Sequence, residues 1–109
     1  ARVAGSFRGW GIPTAQSIQM VRKAAPGLMV LASGGLRDGV DIAKCIALGA
    51  RIGGMASPFL KTAAISENET IITIREIQRE IQICMFACGI DNLDKLRLND
   101  NVLVKKGLA

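Results

Sequence analysis

The stretch that most constrains the fold is Leu28-Met29-Val30-Leu31-Ala32, followed at once by Ser33-Gly34-Gly35-Leu36-Arg37 and Asp38. Pro26-Gly27 bounds the apolar run on one side and the paired glycines bound it on the other. A continuous apolar run this short reads as a strand covered on both faces, as in a parallel sheet. Beyond the turn, Ile42, Ala43, Ile46, Ala47 and Ala50 recur at helical spacing. Asp38 is placed to cap that helix, Asp41 favours its positive end, and Gly49 is the expected left-handed residue past its last turn. A strand, a glycine turn and a helix in this order leave main-chain N–H groups unpaired at a positive helix end, which suits a phosphate. In this reading the N–H groups of Gly35, Leu36 and Arg37 come close to the bound group. The glycines carry no side chain that would hold a phosphate away.

The neighbouring segments repeat the pattern. Pro13-Thr14 opens a helix that Thr14 can cap, with Ile18, Val21 and Ala24/Ala25 as its apolar stripe. Ile52-Gly53-Gly54-Met55-Ala56 is a second short strand whose glycines suggest a close approach by another backbone or a ligand. The backbone of Ala56 and Ser57 after that strand would complete a phosphate cradle. Pro58 begins another helical stretch, and a long helix over 67–88 carries Ile71, Ile74, Ile77, Ile81, Cys84/Met85 and Cys88 every three or four residues. A short helix over 91–98 and a strand-like Val102-Leu103-Val104 follow. Residues 1–11 read as a loop, with Trp10 covering a core edge rather than stacking on a ligand. Alternating helices and strands predict parallel strands joined by right-handed crossovers. Glycine turns end many strands, so an ordinary structural turn is the competing reading. Arg37 either serves an anion or braces the loop, while Arg51 falls on the far side, at the second strand's start.

The chain of 109 residues is one domain at most, and with half of it hydrophobic it is not a disordered tail. No apolar run approaches the ~20 residues of a membrane span, so a soluble, cytoplasmic setting is the expectation. Three cysteines and no histidine form neither a disulfide framework nor a metal set, and apolar packing is the favoured role of the thiols. The formal charge of +5 is spread along the chain, with Arg22-Lys23 and Lys105-Lys106 as its adjacent pairs. That scatter argues against nucleic acid as a partner. No catalytic set appears either. Ser33 and Ser57 have no base in view, and the nine carboxylates fall mostly on helix surfaces.

Several motifs go beyond these generic features. They are Trp10-Gly11-Ile12-Pro13-Thr14 with Ser17, the run from Ala32 through Lys44, Ala47-Leu48-Gly49-Ala50, Gly54-Met55-Ala56-Ser57-Pro58-Phe59-Leu60, and Met85-Phe86 with Gly89. Together they resemble the C-terminal part of type 2 isopentenyl diphosphate isomerase, an FMN-dependent (β/α)8-barrel family. The resemblance implies an α/β fold in which this chain supplies strands 7 and 8 and their flanking helices, a partial TIM barrel over residues 1–109 that is incomplete at its N-terminal side. It implies that Gly34, Gly35, Leu36 and Arg37 form the FMN phosphate loop after strand 7. Ala56 and Ser57 would be the second phosphate contact, after strand 8. Gly53 stands where a larger apolar residue is expected, and Ser57 where leucine is common. Such enzymes interconvert isopentenyl and dimethylallyl diphosphate with reduced FMN, Mg2+ and NADPH, and the full-length proteins are expected to be homo-oligomers. The catalytic, magnesium and diphosphate-binding groups come largely from earlier strands, so the resemblance assigns no catalytic or metal residue here.

A barrel of this kind typically needs ~250 residues, so the chain is expected to be a fragment of a longer one. Two strands leave both sheet edges open, and in isolation the chain would be poorly soluble or molten unless it assembles with copies or with the missing part. A rival reading is another FMN barrel such as a 2-hydroxy acid oxidase. That family places a histidine base shortly before strand 7, and its strand usually ends in aspartate where this chain has Ser33. The other rival is a non-catalytic module that binds phosphate or packs as half of a self-assembled barrel.

Overall fold

A computed structural model describes residues 1–104. In chain order it contains α1 (Arg2–Ser6), α2 (Thr14–Ala24), β1 (Leu31–Ala32), α3 (Gly39–Ala47), β2 (Ile52–Gly53), α4 (Ser57–Ala63), α5 (Glu67–Ala87), α6 (Leu93–Leu96) and a 3-10 turn (Asp100–Val102). The pair Lys105-Lys106 lies outside the described residues.

The two strands are parallel neighbours, with Leu31 opposite Ile52 and Ala32 opposite Gly53. Side chains alternate faces along a strand, so Ala32 and Gly53 share one face and Leu31 and Ile52 the other. The Ala32/Gly53 face is turned to α3. Ala32 is 4% exposed, and a Cβ placed on Gly53 would come within 3.0 Å of Ile42 Cγ1. The departure at Gly53 therefore has a packing reason: Ile42 occupies the space a larger residue would need. The opposite face is open, with Leu31 64% exposed and Ile52 also exposed. The expectation of a strand covered on both faces thus holds on one face only among the described residues.

Helix α3 lies at the centre of the core. Asp38 is its N-cap and accepts the Asp41 N–H at 2.9 Å. Its end is a Schellman turn in which Gly49, at φ +118, donates to the Ile46 carbonyl and Ala50 donates to that of Cys45. Six of its nine residues are buried, and Ile18 of α2, Ile77 of α5 and Leu96 of α6 complete the cluster around it. Gly39 lets α5 approach. A Cβ there would stand 2.6 Å from that of Glu80, closer than real contacts allow.

Three local expectations need correction. Residues 2–6 are helical rather than loop, although this short helix has no side-chain cap and buries nothing. Trp10 covers no core edge; it is 81% exposed and meets the Phe7 ring edge-on at 5.6 Å. Val102, Leu103 and Val104 form no strand. Asn99 instead caps a 3-10 turn by accepting the Asn101 N–H, which takes this short apolar patch out of extended geometry.

Candidate functional site

Both strands point their C-terminal ends at the same region. β1 leads into Ser33-Gly34-Gly35-Leu36 and β2 into Gly54-Met55-Ala56-Ser57, and these eight residues line one cavity of about 430 Å3. The volume falls within the range usual for small-molecule sites. Gly34 and Gly35 adopt φ of +106 and +73, the left-handed region, so glycine is required for the turn itself. The Gly54 N–H is spent on the sheet, donating to the Ala32 carbonyl at 2.8 Å. Among the described residues, the N–H groups of Gly35, Leu36, Ala56 and Ser57 have no hydrogen-bond partner within the chain. The cavity is thus bordered by main-chain donors from two successive turns with no charged side chain among its lining residues. Such a set can hold a small oxyanion through N–H bonds.

Arg37 stands apart from this set. Its N–H donates to the Asp41 carboxylate at 3.0 Å, and its Nε approaches the same oxygen at 3.4 Å. The guanidinium side chain is 82% exposed and borders a second, larger cleft, about 930 Å3, between the start of α2 and the outer side of α3. The structure therefore brings Gly34, Gly35, Leu36, Ala56 and Ser57 together and leaves Arg37 on the other flank of the turn, where it braces the loop.

The start of α3 is also less free than its position in the sequence suggests. Gly39 donates its N–H to Glu80 Oε1 at 3.2 Å, and Asp38 takes that of Asp41. With Asp38, Asp41 and Glu80 gathered at this helix end, protein carboxylates already use the positive pole. Donors for an anion come from the turns that follow the strands rather than from the first turn of α3.

Thr14 was expected to cap α2, but Pro13 is the residue before the helix and Thr14 is its first residue, making no cap bond. Its hydroxyl instead donates to the Gly34 carbonyl at 2.6 Å, with the Ser33 carbonyl 3.4 Å away. This bond ties the start of α2 to the glycine turn. A side chain on Gly34 would crowd the same hydroxyl at 3.1 Å. Sequence spacing carries no signal of this contact, because it joins residues twenty positions apart.

Two of the thiols are shifted upward in pKa. Burial pushes the Cys45 pKa up, with the nearby Asp41 carboxylate adding to the effect. Cys84 is raised by desolvation first, and then by Cys88, Glu80 and Asp38. Among the described residues no group of three His, Cys, Asp or Glu side chains is placed to hold a metal ion, and no helix is long and apolar enough to cross a membrane.

Comparison with known proteins adds a family to this geometry. A family model described as FMN-dependent dehydrogenase matches residues 10–104. Curated relatives named isopentenyl-diphosphate delta-isomerase are similar to the chain over most of its length. The protein from Rickettsia bellii (strain RML369-C) is 48% identical over 103 residues, which is 92% of this chain and 30% of the relative. That from Nostoc sp. (strain PCC 7120) is 47% identical over 96 residues, 88% of this chain and 27% of the relative. That from Hydrogenovibrio crunogenus is 38% identical over 104 residues, 95% of this chain and 30% of the relative. The resemblance read from the motifs and these relatives name the same enzyme, and the chain spans about 30% of the relatives' length.

Proposed function

The chain belongs to the FMN-dependent dehydrogenase family, and from that premise we propose that it is the FMN-phosphate-binding part of an isopentenyl-diphosphate delta-isomerase. The fold proposed with it is the last two βα units of a (β/α)8 barrel. Two features support the barrel. The Leu31/Ile52 face is open, as a wall lining a barrel interior would be. A cavity of about 520 Å3 runs between α2 and β1, bordered by Ile18, Val21, Met29 and Leu31, along the edge where a preceding strand would pair.

The observation that carries the proposal is the shared cavity at the ends of β1 and β2, with unspent amides from both turns on its rim. A flavin phosphate is a dianion that accepts several N–H bonds, and the cradle offers Gly35, Leu36, Ala56 and Ser57 as donors. Gly34 supplies the conformation that lets the backbone come close. Thr14 holds the Gly34 carbonyl, and Asp41 holds Arg37 beside the turn without entering the cradle. Serine in place of leucine at Ser57 is compatible, because the contact is made by the main chain. When bound, reduced FMN supplies the chemistry that shifts a proton across the double bond between isopentenyl and dimethylallyl diphosphate. This chain's residues bind and orient the cofactor's phosphate. None of them is assigned to proton transfer, to Mg2+, to NADPH or to the substrate diphosphate.

The relatives' names favour isomerisation of a diphosphate over oxidation of a 2-hydroxy acid. The missing histidine points the same way. The test is made on the intact protein. Gly35→Val forces a β-branched residue into left-handed backbone, at a cost of about 1–2 kcal/mol or more, and places a side chain at the cradle. The expected result is loss of bound flavin absorbance with circular dichroism unchanged, while Ser57→Ala keeps the flavin. A Gly35→Val protein that retains one FMN per chain would overturn the cradle. A flavin-loaded protein that forms no dimethylallyl diphosphate would overturn the isomerase while leaving the cradle standing.

A further inference from the structure

At the opposite ends of the strands the chain gathers positive charge. Arg22 from α2, Arg51 just before β2 and Arg97 just after α6 line one cavity of about 220 Å3, together with Gly49 and residues 27–30. Among the described residues no aspartate or glutamate lines it. Among the described residues, the Nε atoms of Arg22 and Arg97 are buried and find no acceptor. Arg97 has an ion pair through another nitrogen, with Asp94 at 3.3 Å, but that carboxylate is 85% exposed. Among the described residues Arg22 and Arg51 have no ion pair.

The backbone is shaped to keep these side chains together. Arg51 is fixed by its N–H, which donates to the Val30 carbonyl at 2.8 Å. The Arg22 side chain lies across the Gly49 turn so closely that a Cβ on Gly49 would stand 3.0 Å from its Nε. Leu98, next to Arg97, holds φ +56, a left-handed conformation that residues with side chains adopt at a cost. A buried guanidinium N–H without an acceptor is unfavourable, and so is crowding guanidinium groups around one cavity. One small anion among the three guanidinium groups relieves the crowding.

We propose that Arg22, Arg51 and Arg97 form a second anion site at the N-terminal end of the sheet, for a small dianion of the phosphate class. The guanidinium fork matches phosphate oxygens in pairs, and two uncompensated charges plus a partly compensated third match a dianion better than a single carboxylate. The site is independent of the glycine turn, which binds through main-chain N–H groups at the other end of the same strands.

The test is equilibrium dialysis of the intact protein against radiolabelled inorganic phosphate, at constant ionic strength set with potassium chloride. It is run in the natural sequence and in a Gly35→Val background, so that phosphate at the glycine turn is counted separately. The expected result is one phosphate per chain that survives Gly35→Val. It should weaken at least tenfold in Arg22→Gln and in Arg51→Gln, and several-fold in Arg51→Lys, which keeps the charge and loses the fork. Circular dichroism checks each variant, and Arg51→Lys decides the matter if Arg22→Gln does not fold. Phosphate uptake that vanishes with Gly35→Val, or that ignores the arginine variants, overturns the site. So does an intact protein that takes up no phosphate because a carboxylate from outside this chain fills the cavity.

Discussion

Helices α3 and α5 are both marked by apolar residues at helical spacing, yet the fold treats them oppositely. α3 has nine residues and buries six of them. α5 has twenty-one and buries Ile77 alone. The difference lies in their neighbours. α3 has the Ala32/Gly53 sheet face on one side, α5 on another, and Ile18 and Leu96 closing the remainder. α5 meets α3 and α4 along one flank, with Ile81, Cys84 and Met85 half-buried, and its other flank leaves Ile72, Ile83 and Phe86 exposed. Periodicity therefore identifies a helix and its apolar positions, while burial depends on how many elements surround it.

The largest expected effect separates the two helices directly. Ile46→Ala in α3 should lower stability by about 2–5 kcal/mol, because it opens a cavity among packed neighbours. Phe86→Ala in α5 should change it by no more than about 0.5 kcal/mol, as the ring is 87% exposed. Urea unfolding of the two variants compares them, and equal losses would break the distinction. A smaller effect sharpens it at the contact between the helices. Gly39→Ala should cost about 1–3 kcal/mol by pushing Glu80 and the Ile77 backbone away. A neutral Gly39→Ala would mean that α5 is not seated against α3 as described.

The smallest effect is kinetic and concerns the thiols. Cys88 is exposed at the end of α5 and Cys45 is buried in α3, so alkylation followed by mass spectrometry should label Cys88 first and Cys45 last. The raised Cys45 pKa adds to the protection, since less thiolate forms at a given pH. By the same sign, the folded state holds the Cys45 proton more tightly than the unfolded chain does. Its contribution to stability is fully present below the ordinary thiol range and is lost as pH rises above that range through the raised value of the folded state. Equal labelling of Cys45 and Cys88 would show that α3 opens to solvent as readily as the end of α5.

Much of the fold was legible where a local rule has a local cause. Asp38 caps the helix it precedes, accepting the N–H three residues on. Gly49 and Gly89 sit in the left-handed region just past helix ends. Both strand-end turns were located from their glycines. What sequence reading missed has non-local or marginal causes. The α1 helix is one turn with no cap and no buried face, so it leaves no apolar period to detect. Thr14 looked like a cap because its partner, the Gly34 carbonyl, belongs to a distant turn. Sequence reading left Arg37 between serving an anion and bracing the loop, and it did not foresee that Asp41, four residues on, takes its N–H. The arginine cavity joins residues from three separate elements, and only Arg51 had been placed at that end.

By itself the sequence determined the order of strand, turn and helix between residues 13 and 98, and which positions carry apolar or glycine residues, because backbone preferences and short-range spacing act within a few residues. It also carried the family motifs. The tertiary structure alone decided that Ile42 fills the space beside Gly53, that Leu31 and Ile52 face outward from α3, and that two turns twenty residues apart share one cavity. Those outcomes depend on strand register and on how helices seat against the sheet. Both are set by contacts between distant segments, for which the order of residues within any one segment has no marker.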